Sequence, residues 1–197
     1  SNVAVASGAT LGGSGTITGN VTLAAETSSG AKDGGKLAAG NSPGVLTVDG
    51  NTSFNTGSIF EWEINATGTP SRGTGGYDGV NTDSVAGDGD AIFQIVLQSG
   101  QSFADTFWDD SRNWSDIFKD TTASNNLTDW TNLFTSFGGS VGANGIVSGQ
   151  GSFSFTNGNT LTWTAVPEPT SAVAGLLITA GLLRRRRAHT ALVMGNL

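Results

Sequence analysis

The chain has 197 residues, 30 of them glycine and none cysteine, with a formal net charge of -7. The lack of cysteine excludes disulfide staples, thiol chemistry and a thiolate metal site. Arg184, Arg185, Arg186 and Arg187 supply four of the nine basic residues, so only five (Lys32, Lys36, Arg72, Arg112, Lys119) stand against fifteen acidic residues up to Val166, a balance that argues against a nucleic-acid partner held through its phosphates.

The opening "SNVAVASGATLGG" has no initiator Met, basic start or long apolar run, as expected of a fragment or of a chain whose leader has been removed. Up to about residue 65, short β-type triplets are punctuated by Gly and Asn, a rhythm that predicts strands and tight turns rather than an α/β fold. "TITGNVTL" (16–23) is echoed at an offset of 31 by "TVDGNTSF" (47–54), and "FTNGNTLT" (155–162) shares the Gly-Asn turn. Such an echo is expected of stacked strand-turn units, in which each unit leaves an apolar face that a neighbour covers.

Clearer strands follow. In "IFEWEI" (59–64) Phe60, Trp62 and Ile64 alternate with Glu61 and Glu63, the period of a strand with one buried face. "AIFQIVLQ" (91–98) is apolar enough for a central strand, and "GSFSFTNGNTLTWTAV" (151–166) predicts a hairpin turning at Asn157-Gly158. Between them, residues 102–137 change period. Trp114, Ile117 and Phe118, then Leu127, Trp130, Leu133, Phe134 and Phe137, recur at helical spacing, which predicts one or two short amphipathic helices covering the sheets.

Several groups of residues suggest chemistry. Glu61 and Glu63 share a strand face and are the carboxylate pair a polysaccharide hydrolase would need, but nothing marks a second wall of a cleft and a solvated strand face is the simpler reading. Asp83, Asp88 and Asp90, in the oxygen-rich "DGVNTDSVAGDGD" (78–90), are weak calcium candidates with neither EF-hand nor nonapeptide-repeat spacing. Trp108 and Trp114, with Trp130 nearby and polar neighbours including Arg112 and Asn113, are possible carbohydrate contacts; the alternative is inward packing. His189, the one histidine, lies beyond the arginines, which excludes a Ser-His triad or His-zinc site from the body. No cofactor is expected.

The tail has a different character. Pro167 and Pro169 cannot donate ladder hydrogen bonds and predict an extended linker over 166–171. The apolar run that follows, counted from Thr170 to Leu183, is 14 residues, or about 21 Å as a helix against a hydrocarbon core of about 30 Å. Four arginines after it would remain on the cytoplasmic side.

This tail, "VPEPTSAVAGLLITAGLLRRRR" (166–187), resembles the PEP-CTERM sorting signal: Pro167, Glu168 and Pro169, an apolar segment, then Arg184, Arg185, Arg186 and Arg187. The ten residues after Arg187 depart from it, since such signals end sooner. The resemblance implies a substrate of an exosortase-type processing enzyme, held at the bacterial inner membrane by its C-terminal helix during export and then delivered to the cell surface or extracellular matrix. "LAAGNSPGVLTVDGNTSFNTGSIFEWEI" (37–64) is similar to the strand repeats of autotransporter passengers, which implies a stacked scaffold with a turn at "YDGVNTDSVAG" (77–87).

Together these features predict a mainly β fold: a short β-solenoid, or alternatively a β-sandwich, with one or two covering helices and a C-terminal transmembrane helix. The expected organisation is an exported domain over 1–165, a linker over 166–171, a sorting helix over 172–187 and a cytoplasmic tail over 188–197. The expected function is that of a non-enzymatic surface or matrix structural protein. The alternatives are a carbohydrate-binding module of the exopolysaccharide matrix and a polysaccharide hydrolase.

Overall fold

A computed structural model describes residues 1–40, 43–121 and 125–167. The first strands are β1 (Val3–Val5), β2 (Thr10–Gly13), β3 (Gly15–Thr18), β4 (Val21–Leu23) and β5 (Lys36–Ala39). The longer β6 (Val45–Phe54), β7 (Ile59–Ile64), β8 (Gly79–Gly87) and β9 (Ala91–Leu97) follow. Then come β10 (Arg112–Trp114), β11 (Phe118–Lys119), β12 (Phe134–Gly139), β13 (Ile146–Val147), β14 (Gly151–Thr156) and β15 (Thr160–Ala165).

They form three open sheets. One is parallel in the order β1-β4-β6-β8-β11, with β3 also paired to β6; the second is parallel in the order β12-β9-β7-β5-β2. The chain crosses from one to the other at almost every step from β4 to β9, so each strand lies beside one from the previous crossing. A third sheet, β10-β15-β14-β13, is antiparallel. All three lie within one compact unit, Ser1–Ala165.

The 31-residue echo is realised as strand register. Thr16 pairs with Thr47 and Ile17 with Val48, then Val21 with Thr52 and Leu23 with Phe54. Between β3 and β4 the Gly19-Asn20 corner lies against the corresponding corner in β6. There a Cβ on Gly50 would stand 2.6 Å from Asn20 Oδ1 and 2.8 Å from the Gly19 carbonyl carbon, so only glycine allows the two corners to stack. Side-chain amides satisfy backbone donors at this bend, Asn20 N donating to Asn2 Oδ1 at 3.0 Å and Asn51 N to Asn20 Oδ1 at 2.9 Å, and the Ser84 hydroxyl extends the row by donating to Asn51 Oδ1 at 2.7 Å. The third Gly-Asn element is different in kind, since Asn157 and Gly158, at φ 54° and 72°, turn the antiparallel β14-β15 hairpin.

Alternation then builds the core. Phe60, Trp62 and Ile64 are all fully buried, as are Leu37, Val48, Phe54, Phe93 and Ile95. Phe60 of the second sheet lies 6.3 Å from Phe54 and 4.8 Å from Phe118, both of the first, measured between ring centres. The third sheet adds Phe153, Leu161 and Trp163 to the same core. Phe155 stacks on Phe137 at 4.7 Å. Aromatic pairs at such separations contribute about 0.5–1.5 kcal/mol each beyond the area they bury.

The expected fold is corrected in three respects. First, the short β-solenoid with helical cover is replaced by three unclosed sheets, the third of them antiparallel; the parallel pairing of the first two also departs from the antiparallel sheets of an ordinary β-sandwich. Second, residues 102–137 form no α-helix among the described residues, only 3₁₀ turns at Thr106–Asp109 and Trp130–Leu133 between strands. Trp114 ends β10 and Phe118 begins β11, so their four-residue separation spans a bend. In β12 the register shifts between Phe134 and Ser136, which lets Phe134 and Phe137 both reach the core despite standing three apart. Within 114–118 and 127–137, Asn, Ser, Thr and Asp fill the positions between the apolar residues, and none of them favours a helix. Third, no helix among the described residues is long and apolar enough to cross a membrane. The expectation of a transmembrane chain is corrected accordingly; the segment it rested on, 172–187, lies outside those residues.

Candidate functional site

The most unusual polar group of the body is Asp78, just before β8. It is 2% exposed, and its carboxylate is held from two directions: Oδ1 accepts from Gly44 N at 2.8 Å and Oδ2 from Glu63 N at 2.9 Å. Its carbonyl accepts from Trp62 Nε1 at 3.1 Å. One aspartate thereby ties β7 of one sheet to the approaches of β6 and β8 in the other. Burial, with Glu63 and Glu61 nearby, outweighs those two amide hydrogen bonds and raises its pKa to about 7.

The carboxylates proposed from sequence sit beside it. Glu61 and Glu63 occupy the outer face of β7, as their alternation predicts. Glu61 Oε2 pairs with Lys36 Nζ of neighbouring β5 at 2.8 Å. Glu63 titrates above the usual carboxylate range, because of partial burial first and the charge of Glu61 second. Glycoside cleavage needs an acid and a base facing one bond across a cleft. Here Glu61 is engaged by a lysine, and both Asp78 oxygens are occupied by backbone amides.

Further along the same end, Tyr77 OH donates to Asp116 Oδ1 at 2.6 Å. Burial first, then that hydrogen bond, raises its pKa. Arg72 Nη2 donates to Asn81 Oδ1 at 2.8 Å. Sequence reading missed this group because the partners that define it, Gly44 for Asp78 and Asp116 for Tyr77, lie 34 and 39 positions away. The available signal was Asp78 itself, a carboxylate directly at a strand start, but in sequence it merges with the acidic loop.

The calcium candidates are not brought together. Residues 79–87 form β8 rather than a loop or turn, so Asp83 lies on a strand while Asp88 and Asp90 follow its end. Thr121 Oγ1 donates to Asp83, Thr56 N to Asp88 Oδ2 at 3.2 Å, and Thr135 Oγ1 to Asp90 Oδ1 at 2.7 Å. No group of three His, Cys, Asp or Glu side chains among the described residues is placed to hold a metal ion.

The proposed tryptophan contacts are in the core. Trp108 is 1% and Trp114 5% exposed. Trp108 lies 5.1 Å from Trp163, and Trp114 5.2 Å from Trp62. Neither ring offers an open face for stacking, and Trp130 is fully buried as well. Of the sorting-signal residues Pro167 is described, while Glu168, Pro169, Arg184, Arg185, Arg186 and Arg187 lie outside the described residues.

No protein-family model matches the chain, and no curated protein or solved structure shows significant similarity to it.

Proposed function

We propose that this is an exported structural protein of the bacterial cell surface or extracellular matrix, delivered by a C-terminal signal that an exosortase-type enzyme processes. The observation that carries this reading is the order of the tail. Pro167-Glu168-Pro169, an apolar segment and four arginines begin just after the last strand ends at Ala165. A processing enzyme needs an extended, accessible segment, and two prolines one residue apart favour that conformation. The body supports a scaffold role. Its aromatic core runs through all three sheets, and its excess of acidic over basic residues, fifteen against five up to Val166, favours solubility.

The reading is tested by replacing Pro167, Glu168 and Pro169 with alanine in an exosortase-containing host and determining the C-terminus of the released protein by mass spectrometry. The expected result is a wild-type product shortened near these residues and a variant that stays full length and cell-associated. Equal release of both, with residues 184–187 intact, refutes the reading.

A further inference from the structure

A binding site is built around Arg112 at the start of β10. Lys36 and Lys119 are in ion pairs, at 2.8 and 3.7 Å, and Arg72 is spent on Asn81. Arg112 has no carboxylate partner among the described residues, yet it is held in place. Its Nε donates to the Phe107 carbonyl at 2.8 Å, and its guanidinium carbon stands 3.9 Å from the centre of the Phe107 ring. A guanidinium anchored through Nε and one face leaves the edge formed by Nη1 and Nη2 free, and that fork matches the two oxygens of a carboxylate.

Arg112 lines two open clefts, of about 380 and about 300 Å³, that also share Phe107. Both volumes fall in the range of roughly 300–1,000 Å³ seen for small-molecule sites. The exposed polar residues of the first cleft include Thr67 and Thr106, those of the second Ser111 and Asn113, beside apolar walls that include Phe107 and Pro70. Thr67 Oγ1 donates to Asn65 Oδ1 at 2.9 Å and so remains an acceptor, and Ser111 Oγ accepts from Ala165 N at 3.2 Å and so remains a donor. Asp105, an acidic residue of the first rim, has Oδ2 engaged by Ser102 N at 2.8 Å. Hydroxyl and amide groups around a fixed guanidinium suit a ligand that carries many hydroxyls and a carboxylate.

We propose that the Arg112 clefts bind a carboxylate-bearing saccharide, its carboxylate on Nη1 and Nη2 and its ring hydroxyls on Thr67, Thr106, Ser111 and Asn113. The site keeps Arg112 and Asn113 of the patch that the sequence suggested, with the buried Trp114 behind the second cleft and no tryptophan face offered for stacking, and it does not depend on the sorting tail. Because the body is acidic, contact at Arg112 rather than long-range steering carries the affinity.

The test is calorimetric titration of the purified full chain with trigalacturonate and with its methyl ester, which keeps the hydroxyls and removes the charge. Expected is binding of the acid, weakened at least tenfold by esterification and at least tenfold by Arg112→Gln. Since Arg112 also caps the Phe107 carbonyl, near-UV circular dichroism checks the fold of that variant. Thr106→Glu, which leaves Arg112 in place and adds a negative charge at the rim, is expected to weaken binding similarly. The proposal is overturned if wild-type protein binds no trigalacturonate at millimolar concentration, if acid and ester bind equally, or if Thr106→Glu binds like wild type.

Discussion

Lowering the pH from 8 to 5 is expected to stabilise this protein, because Asp78 is buried with a raised pKa. The native carboxyl titrates near 7 against an ordinary 3.8. Between those values the folded chain holds a proton that the unfolded chain has released, so stability falls as pH rises through this window. The full difference corresponds to about 4 kcal/mol, at about 1.36 kcal/mol per pH unit; the part between pH 5 and about 7, which a comparison of pH 5 with pH 8 reads, is about 3 kcal/mol, a large share of a typical total of about 5–15 kcal/mol. Glu63, raised by burial and by Glu61, acts in the same direction. Asp33, lowered by its hydrogen bonds from Thr27, opposes it only at lower pH. The assay is urea unfolding at pH 5 and pH 8 followed by tryptophan fluorescence. Trp62 reports directly, since its indole N–H is bonded to Asp78. Asp78→Asn should be less stable at pH 5, because an amide offers one acceptor where Gly44 N and Glu63 N require two, and it should lose most of the pH dependence. Equal stability of the wild type at both pH values, or an unchanged slope in Asp78→Asn, refutes the reasoning.

Two further substitutions probe the frame. Phe93→Ala removes a fully buried ring that touches Phe60, Trp130, Phe134 and Phe155; a loss of about 3–5 kcal/mol is expected, measurable as a fall in denaturation midpoint at constant slope. Gly50→Ala places a methyl group against the Gly19-Asn20 corner and should cost about 1–3 kcal/mol by overpacking, whereas the same change at Gly15, where a Cβ would meet nothing within 4 Å, should leave thermal stability within about 0.5 kcal/mol of wild type.

Much of the frame was legible because a strand writes its burial into alternate residues. "IFEWEI" placed Phe60, Trp62 and Ile64 inside, and the offset of 31 anticipated which strands would lie side by side. The helical spacing of residues 102–137 misled for a physical reason. A bulge in β12 and a bend between β10 and β11 each produce separations of three or four without a helical turn. Periodicity over a few residues does not distinguish these cases. The tryptophans show the same limit, since composition marks them as large and apolar but says nothing about which side of the sheet faces them.

Local sequence was sufficient for strands, turns at Gly-Asn, charge and the order of the tail, because each depends on neighbours within a few residues. Tertiary structure alone decided the rest. It buried Asp78 between Gly44 and Glu63, separated Asp83, Asp88 and Asp90 onto different threonines, enclosed Trp108 and Trp114, and left the outer edge of Arg112 open. These outcomes depend on contacts between residues tens of positions apart, and burial, which sets both pKa and accessibility, exists only once the sheets have come together.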